Sequence, residues 1–174
     1  MGRLEGASFS LEMRSVITLA DVDLFRPEHA QAVTELISRY ARDPMGGGED
    51  LADEVKSVLA ARLRERADYF GVMAHDGARP VALINCFEGF STFMARPLMN
   101  VHDVYVEPDY RGQGLSRRLL QRVEAEARAR GCGKLTLEVL DGNAAAIASY
   151  RRFGFETYAL DPAFGRAQFW QKVL

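Results

Sequence analysis

The chain has 174 residues, 48% hydrophobic and 26% charged, with a formal net charge of −2. That is enough sequence for one domain with a proper core, and the faintly acidic balance gives no electrostatic basis for a nucleic-acid partner. No run approaches the roughly 18 apolar residues of a membrane span, and the opening MGRLEGASFSLE lacks the charged-then-apolar order of a secretory signal, so a cytoplasmic protein with no membrane partner is expected.

Residues 1–12 read as a polar extension and 13–174 as a single domain. A strand is expected over 13–18. Pro27 suits the first turn of a helix, with Ala30, Val33, Ile37 and Tyr40 on one face. "DPMGGGED", residues 43–50, ends that helix and reads as a mobile loop, because consecutive glycines impose little restraint. A second helix is expected over 51–66, with Leu51, Val55, Val58, Leu59 and Leu63 inward.

The period then changes to two. "YFGVMAH" and "PVALINCF" flank the turn "DGARP" as a hairpin, and "PLMNVHDVYV" is a further strand. A helix over 115–130 buries Leu115, Leu119, Val123 and Ala127 and stops at Gly131. Its arginines, Arg117, Arg118, Arg122, Arg128 and Arg130, read as a solvated face. "KLTLEVL" is a strand, 143–153 a short helix with "GF" as its exit, and "AQFWQKVL" a closing strand. The order predicts a mixed α/β domain.

The two cysteines, Cys86 and Cys132, and the three histidines, His29, His75 and His102, are scattered, so no metal site is expected. Cys86 and Cys132 read as small buried residues, His29 and His75 as surface residues, and Phe87, Phe90 and Phe93 as core packing.

The chemistry concentrates in "YVEPDYRGQGLSRRLL", residues 105–120, a strand, a glycine-containing turn and a helix. A helix N-terminus presents unpaired N–H groups and partial positive charge, which suits a phosphate. Gly112 and Gly114 clear the approach to the amides from Gln113 to Arg117, and Arg111 and Arg117 add charge. The plainer reading is a tight strand-to-helix turn. The Walker pattern fails for want of its Lys and Ser/Thr, and the Rossmann fingerprint fails at Arg117.

"RGQGLS" resembles the Arg/Gln-x-x-Gly-x-Gly/Ala motif of the GNAT acetyltransferases, departing from it at Ser116. "LEVLDGNAAAIASYRRFGF" is similar to the same family's Asn-x-x-Ala-x-x-x-Tyr-x-x-x-Gly-Phe segment. The likeness is strong over 80–160 and weak before residue 67. It implies the GNAT fold: a mixed, mostly antiparallel sheet, splayed between its fourth and fifth strands and flanked by helices. It implies acetyl-CoA as co-substrate and no metal. The pyrophosphate would lie on Arg111, Gly112, Gln113, Gly114, Leu115, Ser116 and Arg117. The pantetheine arm would pair with Val104, Tyr105 and Val106, in an opening between 100–107 and 134–140.

The resemblance implies Tyr150 as the acid that protonates the departing thiolate, and Asn143 and Tyr150 as cofactor contacts. On the residues alone, Tyr150 is equally a core aromatic and Asn143 a helix cap. Three candidates remain for the base. Glu138, twelve residues before Tyr150, resembles the Glu of the enzymes that acetylate the N-terminal alanine of a ribosomal protein. His102, with Asp103, stands where the diamine acetyltransferases carry Glu-Asp, and its ordinary pKa suits base work near neutrality. Water is the third. Asp103 would orient either the substrate ammonium or His102. The expected function is direct acetyl transfer to a primary amine of a small molecule or peptide, with a non-catalytic acyl-CoA-binding or sensor domain as the alternative. A homodimer stays open.

Overall fold

The computed structural model describes residues 16–158, 161, 163 and 168–174. The chain divides into two compact units, Met1–Leu137 and Glu138–Leu174. The first contains β1 (Ile17–Asp21), α1 (Pro27–Arg42), α2 (Asp53–Arg64), β2 (Tyr69–Asp76), β3 (Arg79–Ser91), β4 (Arg96–Val106), a 3-10 turn at Pro108–Tyr110, α3 (Leu115–Ala129) and β5 (Leu135–Leu137). The second contains α4 (Ala144–Phe153).

The sheet is five-stranded in the order β1-β2-β3-β4-β5. The first four strands run antiparallel. β5 joins β4 in parallel, through Met99↔Leu135, Asn100↔Thr136 and Val101↔Leu137. β5 then ends, while β4 runs on to Val106 with no strand on that side among the described residues. The expected splay is therefore present, with a fifth strand shorter than 134–140. The Asn100 amide donates to Thr136 Oγ1 at 3.2 Å and ties the middle rung.

α1 covers one face of the sheet. Its buried residues include His29, Ala32, Val33 and Leu36, and the last three pack with Leu24, Leu63, Met73, Leu83 and Tyr105 into one apolar cluster. Leu36 and Leu83 are fully buried, so truncating either to Ala costs about 2–5 kcal/mol. Val33 is buried and Ile37 and Tyr40 pack against this cluster, as the expected face requires, while His29 is buried rather than superficial. Its Nδ1 accepts the Asp23 N–H at 3.0 Å, which gives the buried ring a partner.

α3 packs on the other side of the hairpins, burying Leu115, Leu119, Leu120, Val123 and Ala127. Its arginines are not simply a solvated face. Arg118 donates to the Ile17 carbonyl at 2.9 Å and Arg122 pairs with Asp21. Arg122 and Arg130 both lie over the Phe70 ring. Their apolar stems cover the sheet while the guanidinium heads find edge partners.

Several further expectations change. β1 begins at Ile17 among the described residues, and 13–15 lie outside them. α2 buries Leu63 but leaves Val55 and Val58 exposed. Phe87 packs against the core cluster, whereas Phe90 and Phe93 are exposed near the β3–β4 turn, past the part of the sheet that α1 covers. The closing strand is not formed among the described residues: 168–174 join no ladder, and Phe169 and Trp170 are exposed. A strand exists only by virtue of a partner edge. Residue 167 and the extension 1–12 lie outside the described residues. Cys86 is buried and Cys132 half-buried, both as free thiols.

Candidate active site

In the first unit the site begins with the backbone of the turn after β4. Gly112 has φ +74° and Gly114 φ +77°, and a Cβ at either would meet nothing within 4 Å. These glycines are needed for their left-handed backbone and leave open space above it. Gly114 is the N-cap of α3, which has no capping side chain and no acidic residue in its first turn. The dipole and the first-turn amides therefore meet no capping side chain and no acidic residue of the helix's own first turn. Leu115 anchors the turn in the core, and Ser116 is half-buried. Arg117 is exposed, and no ion pair holds it among the described residues. This turn fits a pyrophosphate: an uncapped helix start, two missing Cβ atoms and a free guanidinium.

Arg111 and Gln113 have other work. Arg111 Nε donates to the Val106 carbonyl at 2.9 Å, and its NH2 group to Asp43 Oδ2 at 2.7 Å. The Arg111 guanidinium, with the Met45 N–H, holds the Asp43 carboxyl below the usual carboxylate range. Arg111 thus ties the end of β4 to the 43–48 turn. Gln113 donates to the Asp109 carbonyl at 2.9 Å and closes the preceding turn.

The 43–48 turn is folded rather than shapeless. Asp43 O accepts the Gly46 and Gly48 N–H groups, and Asp43 Oδ1 accepts that of Met45 at 2.9 Å. A Cβ at Gly46 would stand 1.9 Å from the Tyr40 carbonyl oxygen, so no other residue fits there.

Past Val101, its last residue paired with β5, β4 carries His102, Asp103, Val104, Tyr105 and Val106, of which the last four still pair with β3. Asn85 pairs with Asp103 but Cys86 pairs with Val101, which leaves His102 as the extra residue of a β-bulge. Asn85 and Cys86 face opposite sides of the sheet, so Val101 and Asp103 do too, although a regular strand would put them on one side. His102 is exposed, its ring edge-on to Phe87 at 5.4 Å. Tyr105 is buried beside Tyr40, with ring centroids 6.0 Å apart, while Val104 and Val106 are half-buried.

Asp103 Oδ2 accepts the Asn85 amide at 3.0 Å, and Asn85 Oδ1 accepts the Tyr69 hydroxyl at 2.9 Å. Burial first, then the Asp103 charge among others, raises the Tyr40 and Tyr69 phenols and pushes the Cys86 thiol up to about 12. Sequence reasoning missed Asn85 and Tyr69. The available signal was an amide in the middle of the apolar run "VALINCF".

In the second unit Asn143 caps α4, its Oδ1 accepting the Ala146 N–H at 3.1 Å. Tyr150 is half-buried on α4, with its ring edge-on to Phe155 at 5.8 Å. Glu138 is exposed and lies beyond the end of β5, not within a strand as expected, because the ladder stops at Leu137. Among the described residues no group of three or more His, Cys, Asp or Glu side chains is placed to hold a metal ion, and no helix is long and apolar enough to cross a membrane.

The family model described as "Acetyltransferase (GNAT) family" matches residues 30–155. L-methionine sulfoximine/L-methionine sulfone acetyltransferase of Pseudomonas aeruginosa is 40% identical over 129 residues, 71% of this chain and 75% of that protein. Streptothricin acetyltransferase of Streptomyces lavendulae is 45% identical over 65 residues, 37% of this chain and only 34% of that protein's length. The solved ribosomal-protein-alanine N-acetyltransferase of Brucella melitensis biovar Abortus 2308 shares the fold, with TM-score 0.63 and 17% identity over 83% of this chain and 98% of that one. With the family model over most of its length and a 40%-identical relative along 71% of it, the chain belongs to the GNAT family of N-acetyltransferases.

Proposed function

We propose that the protein transfers the acetyl group of acetyl-CoA directly to the primary amine of a small molecule, with a peptide amine as the wider class. The observation that carries this is the turn at 112–114: two left-handed glycines with open space above an uncapped, acid-free helix start. A non-catalytic sensor would share that turn, but no observation favours it. The small-molecule preference rests on the Pseudomonas aeruginosa relative, whose name gives methionine sulfoximine and methionine sulfone as its substrates.

Acetyl-CoA supplies the activated thioester. The amides of Gly112 to Arg117 bind the pyrophosphate, and the Arg117 charge adds to them. The free side of β4 at Val104, Tyr105 and Val106 offers backbone groups to the pantetheine amides, and amides of the same edge serve the oxyanion. The amine nitrogen attacks the thioester carbonyl carbon, the C–S bond breaks, and the thiolate takes a proton. Tyr150 is the proposed donor and Asn143 a proposed contact to the cofactor. An alkylamine must shed a proton first, at a cost of roughly 4–5 kcal/mol at neutral pH, and Glu138, His102 or water accepts it. No activated cysteine or serine calls for an acetyl-enzyme: Cys86 is buried with a raised pKa.

The test is thiol release from acetyl-CoA against a panel of primary amines, with wild type and Tyr150→Phe. Release that depends on the amine, with kcat at least about tenfold lower in Tyr150→Phe and acetyl-CoA affinity unchanged, is expected. Acetyl-CoA binding without release for any amine would support the sensor reading instead.

A further inference from the structure

Two histidines that stand far apart in the sequence come together where α1 begins. The ring centroids of His29 and His75 are 6.2 Å apart. His29 is buried and His75 half-buried, and the proposed chemistry uses neither. His29 lies in the first turn of α1, which starts at Pro27. Its Nδ1 accepts the Asp23 N–H at 3.0 Å, so that nitrogen carries a lone pair and no proton. His75 meets it from β2, where its strand partners are Thr18 of β1 and Pro80 of β3.

The surroundings favour two neutral rings. The N-terminal end of α1 is the positive end of its dipole, and Arg26 stands just before it. Burial first, then His29 and Arg26, hold the His75 imidazole below its ordinary value of 6.5. The neighbouring carboxylates are engaged elsewhere: Glu28 with Arg26, Asp23 with the Phe25 N–H, and Asp76 with the Tyr110 hydroxyl. Thr18 and Pro80 carry no charge. Of the cations on flanking elements, Arg79 of β3 lies over the Tyr110 ring and Arg64 of α2 over the Phe25 ring. Among the described residues no carboxylate pairs with either imidazole.

Acid undoes this arrangement at two points. A proton on His29 Nδ1 turns the acceptor into a donor and leaves the Asp23 N–H facing another N–H. A proton on His75 sets a charge beside a second imidazole and Arg26, with no counterion. We propose that His29 and His75 form an acid-sensitive latch: as neutral rings they hold the start of α1 on β2, and protonation of either releases it. The far end of the same helix carries Arg39 to Glu107 and Tyr40 to Tyr105, at the end of β4. The latch therefore secures one end of an element whose other end braces the strand before the 112–114 turn. It stands apart from acetyl transfer, and its test needs no substrate.

The test is a series of thermal melts between pH 7.5 and pH 5 on wild type, His75→Gln and His29→Asn. Asn keeps an oxygen close to where Nδ1 stands, so it can still accept the Asp23 N–H, and it cannot take a charge. Because the folded His75 has a depressed pKa, its contribution to stability is fully present above 6.5 and is lost as pH falls through the lowered value. Wild type should therefore lose about 3–5 °C of Tm more than either variant across that range. In proton–nitrogen NMR spectra of the wild type, the Asp23 amide signal and the His75 ring signals should move together as acid is added, because one event opens the latch. If His29→Asn does not fold, His75→Gln, at a half-buried position, carries the comparison. A Tm that falls with pH as steeply in a folded variant as in wild type overturns the proposal. So does an Asp23 amide signal that stays fixed while the His75 ring titrates.

Discussion

Two glycine-rich turns of this protein look alike in sequence and differ in physics. Gly46, in the turn that follows α1, carries no positive φ, yet a Cβ there would sit 1.9 Å from the Tyr40 carbonyl oxygen. Gly112 and Gly114, before α3, have φ +74° and +77° and nothing within 4 Å of the missing Cβ. The first turn needs glycine because the protein is in the way. The second needs it for the backbone shape and leaves room that the protein itself does not fill. That difference ties the first turn to the fold, while the open space above the second is where the co-substrate is proposed to bind. Arg111 joins them, with one hydrogen bond to Val106 O and another to Asp43.

The largest expected effect lies at the filled turn. Gly46→Val should destabilise the protein by about 3 kcal/mol, because a backbone oxygen has to move, and should lower Tm in a thermal melt. Acetyl-CoA affinity of the molecules still folded should be unchanged. A normal Tm would show that the 43–48 turn has slack and would restore the mobile loop expected from its glycines.

Arg111→Ala comes next. It should cost about 1–2 kcal/mol, through two lost hydrogen bonds, one of them to a carboxylate. The effect depends on pH in a stated direction. Asp43 has its pKa depressed by Arg111, so the contribution is fully present above the ordinary carboxylate value and is lost as pH falls through the depressed one. In urea titrations the gap between wild type and variant should therefore be wide at pH 7 and narrow towards the acid end. A gap that does not vary with pH would remove the ion pair from the account.

The smallest expected difference separates the proton acceptors. Glu138→Gln and His102→Gln, each assayed across pH with one acceptor, should both lower the rate near neutrality, with Glu138→Gln losing more and recovering at high pH as the amine deprotonates itself. If His102→Gln alone shows that recovery, the bulge residue is the base. If neither does, water is.

Much of this was legible beforehand because local rules govern it. The strands β2, β3 and β4 are present, β2 and β3 buried as continuous runs because both faces of the sheet are covered, and the 3.6-residue period of α3 survives because that helix buries one face. The strand-glycine turn-helix unit before α3 was legible because its residue types are few and closely spaced. What failed depends on distant partners. Alternation in β4 cannot reveal that a bulge reverses Asp103 relative to Val101. The Tyr69–Asn85–Asp103 chain spans three strands whose register no single segment encodes. Val55 and Val58 sit at helical spacing on α2 and are nonetheless exposed, because amphipathic pattern names a face and not what covers it. Glu138 was read onto a strand that ends one residue earlier.

The central claim is that the open glycine turn at 112–117 is where the co-substrate's phosphates bind. Its most direct test is a calorimetric titration of acetyl-CoA into wild type and Gly114→Val, with Tm measured on both. The structure leaves room for the new side chain, so the fold should lose only about 1–2 kcal/mol, for left-handed backbone. The affinity should fall at least about thirtyfold, because the side chain occupies the space the phosphates need. Equal affinity in the two proteins would contradict the account and leave these glycines as a turn and nothing more.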